Sequence, residues 1–211
     1  MKLNHIILAS AIAFGSFALT SCSETPAPPA VVDNTPAILK GDATLNVDVA
    51  ASKLTWKGDM LGLYSHEGLI NLTNGSVVLK DGKISGGTFT VDMNTIQPTD
   101  DGYDDGDHSK ANFIGHLSSN DFFDVANNPT ATFTVNSVTN NIGKGTLTLR
   151  GISNEETIEN VSITPEGDNA VRITGDVKFD RKKYNVNFDM PVKDKVLSND
   201  ITMKVDLLAK K

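Results

Sequence analysis

The chain has 211 residues, a single cysteine and a formal net charge of −7. One cysteine excludes an internal disulfide framework, and the acidic balance lacks the basic footprint of a nucleic-acid binder. With 39% hydrophobic and 21% charged residues, the composition is that of a chain able to bury a core, not of a disordered one.

The N-terminus opens with Lys2, continues as a short apolar run from Ile6 to Leu19, and closes on Leu19-Thr20-Ser21-Cys22. A charged start, a brief hydrophobic stretch and small residues before a cut site describe an export signal over residues 1–21. The run is shorter than the roughly 20 residues of a comfortable membrane span. Leu-Thr-Ser-Cys resembles a bacterial lipobox. That resemblance implies a chain cut before Cys22, with its thiol lipidated and its new amine acylated. Two or more acyl chains hold a protein on a bilayer where a single chain does so only marginally. The expected location is the bacterial cell envelope, lipid-anchored to a membrane and facing the periplasm or the cell surface. Residues 22–42 then read as the lipidated cysteine and a tether carrying Pro26, Pro28, Pro29 and Pro36. Extended at about 3.1 Å per residue, such a segment holds a domain up to roughly 50 Å from the bilayer.

Residues 43–209 change character. Thr44–Val49, Lys53–Lys57, Thr88–Met93, Thr130–Val135, Gly145–Arg150, Ala170–Phe179 and Ile201–Leu207 alternate polar and apolar residues. Period-two alternation puts one set of side chains on a buried face and the other in water. Threonine and valine dominate the runs, as pleated structure favours. Asn74-Gly75, Asp81-Gly82, Asn127-Asn128-Pro129, Asn140-Asn141 and Pro165-Glu166-Gly167-Asp168 supply turn signals between them. The pattern predicts about eight or nine strands and an all-β antiparallel sandwich or barrel. One stretch interrupts it. Asp100 to Asp124 begins polar and then repeats Ala111, Ile114, Leu117 and Phe122 at near-helical spacing, which predicts a long loop leading into a short helix that covers one end of the domain.

Several ordered segments resemble the YceI family of lipocalin-like periplasmic proteins. The strongest is His116-Leu117-Ser118-Ser119-Asn120-Asp121-Phe122-Phe123-Asp124-Val125, followed by Asn128-Pro129-Thr130-Ala131-Thr132-Phe133. Gly145-Thr146-Leu147-Thr148-Leu149-Arg150-Gly151-Ile152, Phe179-Asp180-Arg181-Lys182-Lys183-Tyr184, Gly86-Gly87-Thr88-Phe89 and Asp92-Met93 fit as well. The resemblance covers residues 43–209. It implies an eight-stranded antiparallel lipocalin-like barrel, with the short helix and long loop over one end. It also implies an interior that holds a long apolar chain: a polyisoprenoid, an isoprenoid quinone or a fatty-acid derivative. The lipobox, the tether and the strongly acidic loop Asp100 to Asp107 depart from many family members, which are free in the periplasm.

The alternation assigns Leu54, Trp56, Phe89, Val91, Met93, Phe133, Val135, Leu147, Leu149, Phe179 and Met203 to the inner face, with Ile114, Leu117 and Phe122 closing the end. Nearly all are apolar, as a hydrocarbon pocket requires. By themselves they describe a packed core better than a pocket; the resemblance reverses that preference. An eight-stranded barrel is just wide enough to fill itself or to hold one slender ligand.

Catalytic chemistry finds little support. After loss of His5 the histidines are His66, His108 and His116. A triad written from Ser118 or Ser119, His116 and Asp121 lacks a nucleophile-elbow sequence, so His116 is expected to orient the helix against Asp121, Asp124 or a backbone carbonyl. Asp101–Asp107 is only faintly like a calcium loop, since Tyr103 and Asn112 stand where oxygen ligands belong. Arg181 has two readings: a fork for a phosphate head group, or an arginine that pins a barrel corner. The expectation is therefore a binder and not an enzyme, without metal or cofactor, whose partners are a lipid ligand and the membrane that holds its anchor. Whether two barrels pair as a homodimer stays open. The alternative is a structural or interaction lipoprotein with a filled core.

Overall fold

Eight strands close into a ring in which every neighbour is antiparallel. The computed structural model describes residues 35–190 and 196–211; the expected export signal, Cys22 and the expected tether up to residue 34 lie outside the described residues. The strands are β1 (Ala43–Val47), β2 (Lys53–Met60), β3 (Tyr64–Lys80), β4 (Lys83–Pro98), β5 (Thr130–Thr139), β6 (Ile142–Leu149), β7 (Ile152–Pro165), β8 (Ala170–Asp180) and β9 (Leu197–Lys210), with one helix, α1 (Lys110–Ser118). The ring runs from β2 through β9 and closes where Trp56 of β2 faces Met203 of β9. The ninth strand, β1, shares a wall with β2. It pairs with the far half of β3 (Ala43 opposite Leu79) and the end of β9 (Val47 opposite Ala209), while β2 pairs with the near half of β3. A 3₁₀ turn over Val49–Ala51, capped by the Asp48 carboxylate, joins the two pieces.

Turn chemistry sets the hairpins. Asp81-Gly82, Asn140-Asn141 and Arg150-Gly151 each hold two consecutive residues at positive φ, the requirement of the two-residue turn whose twist matches the flanking strands. The first two are among the predicted turns. Asn74-Gly75 is not a turn: β3 runs straight through it, with its register against β4 shifting between Leu72 and Asn74. Gly75 serves close packing, since a Cβ there would meet the Phe89 ring at 2.8 Å. Such shifts break period-two alternation in β3, and Glu156 is buried in β7. Neither strand stands among the seven alternating runs for those reasons.

One end of the barrel is a floor. Leu45, Leu79, Val171 and Ala209 are buried there almost without exposure, and Ile38 joins the same core. The folded unit thus starts ahead of the expected boundary at residue 43, because Ile38 on the 3₁₀ turn Ala37–Leu39 finds its apolar contacts in the barrel floor. The opposite end is a lid. Ser109 caps α1, its hydroxyl accepting the Asn112 amide at 3.3 Å. The Arg150 guanidinium donates to the carbonyls of Asn120 and Phe122 after the helix and of Asn185 between β8 and β9, at 2.5–2.8 Å. That grip ties both connections to the β6–β7 turn.

Candidate functional site

Between floor and lid lies a cavity of about 620 Å³. Well-packed interiors carry few voids larger than a water molecule, and an engineered cavity of roughly 150 Å³ already binds benzene. The volume falls within the range of small-molecule pockets, roughly 300–1,000 Å³.

The lining is built pair by pair across the strands. Phe89 sits opposite Phe133, Phe133 opposite Leu147, and Leu54 opposite Val205. The inward phase of the alternation holds on β2, β4, β5, β6, β8 and β9: thirteen of the fourteen predicted lining residues border the cavity. Ile114 does not. The Ser109 cap sets the helix so that Phe113, His116 and Leu117 face inward, one spacing of three and one of four from Phe113. Sequence reasoning missed Ile70 and Leu72 on β3, Ile158 and Val161 on β7, and Phe188 and Met190 in the β8–β9 connection. The β3 and β7 residues belong to the strands without clean alternation; Phe188 and Met190 lie on no regular element.

Phe133 lies flat against the wall because of its neighbour. A Cβ on Gly145 would stand 2.3 Å from the Phe133 ring. Glycine there leaves the ring against the sheet and the bore clear.

Polar groups in the lining are sparse: Tyr64, His66, His108, His116 and Thr174, all else being apolar apart from the Trp56 indole N–H, which donates to the Leu69 carbonyl at 3.2 Å. His116 does not orient the helix through Asp121 or Asp124. Its ring packs edge-on against Phe122 and Phe188, at 5.0 and 4.6 Å between centroids. The Asp124 carboxylate is taken by the Asn127 and Asn128 side-chain amides instead.

Arg181 is no head-group site. Its side chain is 0% exposed and its donors are consumed internally, by the Ser198 carbonyl at 3.0 Å, the Val186 carbonyl at 2.6 Å and Asp189 at 3.3 Å. It pins the barrel corner, where the neighbouring Tyr184 hydroxyl donates to buried Glu156 at 2.8 Å. Burial, then that hydrogen bond, raises the Tyr184 pKa.

At the lid the cavity reaches the surface beside Tyr64 and His108. Here the long connection folds on itself. The Asp104 carboxylate accepts the Gly106 and His108 amides, a local turn. Asp100 turns inward, Oδ2 lying 2.8 Å from His66 Nδ1 and Oδ1 accepting the Glu67 amide at 3.1 Å and the Tyr103 hydroxyl at 3.3 Å. Burial works against its charge, but the His66 and Glu67 hydrogen bonds prevail and hold the carboxyl below its ordinary value. Burial, and then the charge of Asp100, raises the Tyr103 hydroxyl. The sequence offered no signal for this cluster, because His66 and Asp100 meet only when β3 pairs with β4.

Comparison with known proteins agrees with this architecture. The family model for the YceI-like domain matches residues 45–209. A UPF0312 protein of Staphylococcus aureus is 39% identical over 79 residues, and one of Staphylococcus epidermidis is 34% identical over 79; in each case the match covers 35% of this chain and 46% of the relative. The chain thus spans about half the length of the curated relatives it matches. The crystal structure of BcnA from Burkholderia cenocepacia superposes with a TM-score of 0.63 at 20% identity, covering 78% of this chain and 99% of that one, which shows a shared fold.

Proposed function

The chain belongs to the YceI-like domain family, and from that footing we propose that its barrel holds the hydrocarbon part of one long amphiphile, with a polyisoprenoid, an isoprenoid quinone or a fatty-acid derivative as the candidate class. The observation that carries the reading is the apolar, floor-closed cavity of about 620 Å³. Each methylene moved from water into such a space contributes about 0.8 kcal/mol, so a long tail supplies ample gross affinity without polar recognition. A filled core, the alternative, does not leave this volume.

The role is binding and not catalysis. Uniform burial of a tail retains a ligand but accelerates no reaction. The lipobox-like Leu19-Thr20-Ser21-Cys22 supports a lipid-anchored protein of the cell envelope, in which the barrel would receive its ligand close to a membrane.

Native mass spectrometry of protein purified without detergent tests the reading. The expected result is an added mass that organic extraction removes and lipid analysis identifies. Protein that carries no added mass and takes up none from long-chain lipids rejects it.

A further inference from the structure

The mouth of the cavity carries a polar constellation with an unused hydrogen-bonding edge. His66 borders the cavity and its side chain is 30% exposed. Its ring is held from three sides: by Phe113 at 4.4 Å, Tyr64 at 5.2 Å and Tyr103 at 5.4 Å between centroids. The Nδ1 edge belongs to Asp100 and Tyr103, each at 2.8 Å. An ionised Asp100 oxygen at that distance requires the proton on Nδ1, and the Tyr103 hydroxyl turns its own proton to the other Asp100 oxygen. In the neutral ring the free lone pair is then on Nε2. Among the described residues Nε2 has no hydrogen-bond partner.

The charges around it have one sign in excess. Asp100 is hydrogen-bonded to His66 itself, and Asp101, Asp104, Asp105 and Asp107 follow it on the same connection. The same connection and the start of α1 carry His108 and Lys110, the Lys110 ammonium lying over the Tyr103 ring at 5.3 Å. Arg181, the arginine that could have met an anion, is buried at another corner. An anionic group held at Nε2 would lie across the imidazole ring from the Asp100 carboxylate.

We propose that His66 is the head-group subsite of the cavity, its Nε2 accepting a hydrogen bond from an uncharged hydroxyl, while the acidic mouth disfavours carboxylate and phosphate head groups. The proposal rests on the reading that a hydrocarbon tail occupies the cavity, and it narrows the ligand class to neutral, hydroxyl-bearing amphiphiles.

Trp56 is the only tryptophan and borders the cavity, so its emission reports occupancy. Three probes of one chain length, dodecanol, dodecanoate and dodecane, are titrated at about pH 8, where the free carboxylate is ionised. The expected result is dodecanol tighter than dodecanoate by about tenfold, with dodecane as the tail-only control. His66→Ala should weaken dodecanol about tenfold and leave dodecane unchanged, the latter showing an intact cavity. Asp100→Asn, which still accepts from Nδ1, should strengthen dodecanoate several-fold. Dodecanoate bound as tightly as dodecanol, or dodecanol unaffected by His66→Ala, overturns the subsite while dodecane binding preserves the tail reading. Failure of all three probes with the unaltered protein removes the tail reading and this inference with it.

Discussion

Phe133 and Gly145 show how little separates a filled barrel from a hollow one. Phenylalanine is large enough to plug the bore, yet its ring rests on the wall because the residue beside it has no side chain. Gly145→Ala places a methyl group 2.3 Å from the ring and 2.7 Å from the Thr134 carbonyl oxygen, so the ring is pushed off the sheet toward the cavity and the backbone beside it must shift. The cost in stability should be about 1–3 kcal/mol, typical of an overpacked site. Lipid retained by the variant in native mass spectra should fall well below that of the unaltered protein. Equal retention at equal stability would show that the ring has another place to go. Arg181 makes the complementary point. From sequence a basic residue after a strand reads as an anion fork or as a corner pin, and its 0% exposure leaves only the second.

Among the elements, the lid differs from the walls in how it is held. The walls are held by backbone ladders; the segment after α1 and the connection after β8 lean on side chains, and Arg150 reaches both. Arg150 itself sits at φ 52° in the β6–β7 turn, a conformation that an arginine adopts at a cost and that three carbonyl contacts offset. Arg150→Ala should speed amide exchange in α1 and in the segment around Asn185 while leaving β4 to β8 protected, the signature of local opening. Ligand release should quicken in parallel. Uniformly faster exchange across all strands would instead make Arg150 a determinant of global stability. The split wall is a second element-scale feature. Because β1 and β2 take the place of one long strand, Ile38 and Leu45 can close the floor while Leu54 and Trp56 line the cavity.

At the scale of the molecule, closure of the ring leaves the eight main strands without a free edge, which removes the usual template for aggregation. The titratable groups bound its pH range. Asp48, Asp100 and Asp189 have folded-state pKa values below the ordinary carboxylate, Asp48 first through its hydrogen bond with Lys210 and Asp189 first through that with Lys182. A depressed carboxyl binds fewer protons folded than unfolded, so its contribution is present above about pH 4 and lost as pH falls through the folded value. Tyr103 and Tyr184 are raised; their contribution is complete below about pH 10 and lost as pH climbs through the folded value. The midpoint of urea unfolding should therefore be level from about pH 5 to 9, falling on both sides. A midpoint that rises on acidification below about pH 4 would contradict the carboxylate assignments.

Local order was legible in the sequence wherever one rule acted alone. Alternation on β4, β5, β6 and β8 gave the inner face because a pleat has a strict period of two, and Asp81-Gly82 and Asn140-Asn141 gave hairpins because few residues accept positive φ. The family motifs around Phe122 and Tyr184 gave the barrel. What alternation alone could not say is whether the inner side chains meet one another. That depends on the diameter of the closed ring, on Gly145 beside Phe133, and on which turn of α1 faces inward once Ser109 caps it. The same holds for His66 and Asp100, thirty-four residues apart, and for the fate of Arg181. Each depends on contacts made only in the folded chain, and where strands meet, pairing places side chains by register, which no local pattern encodes.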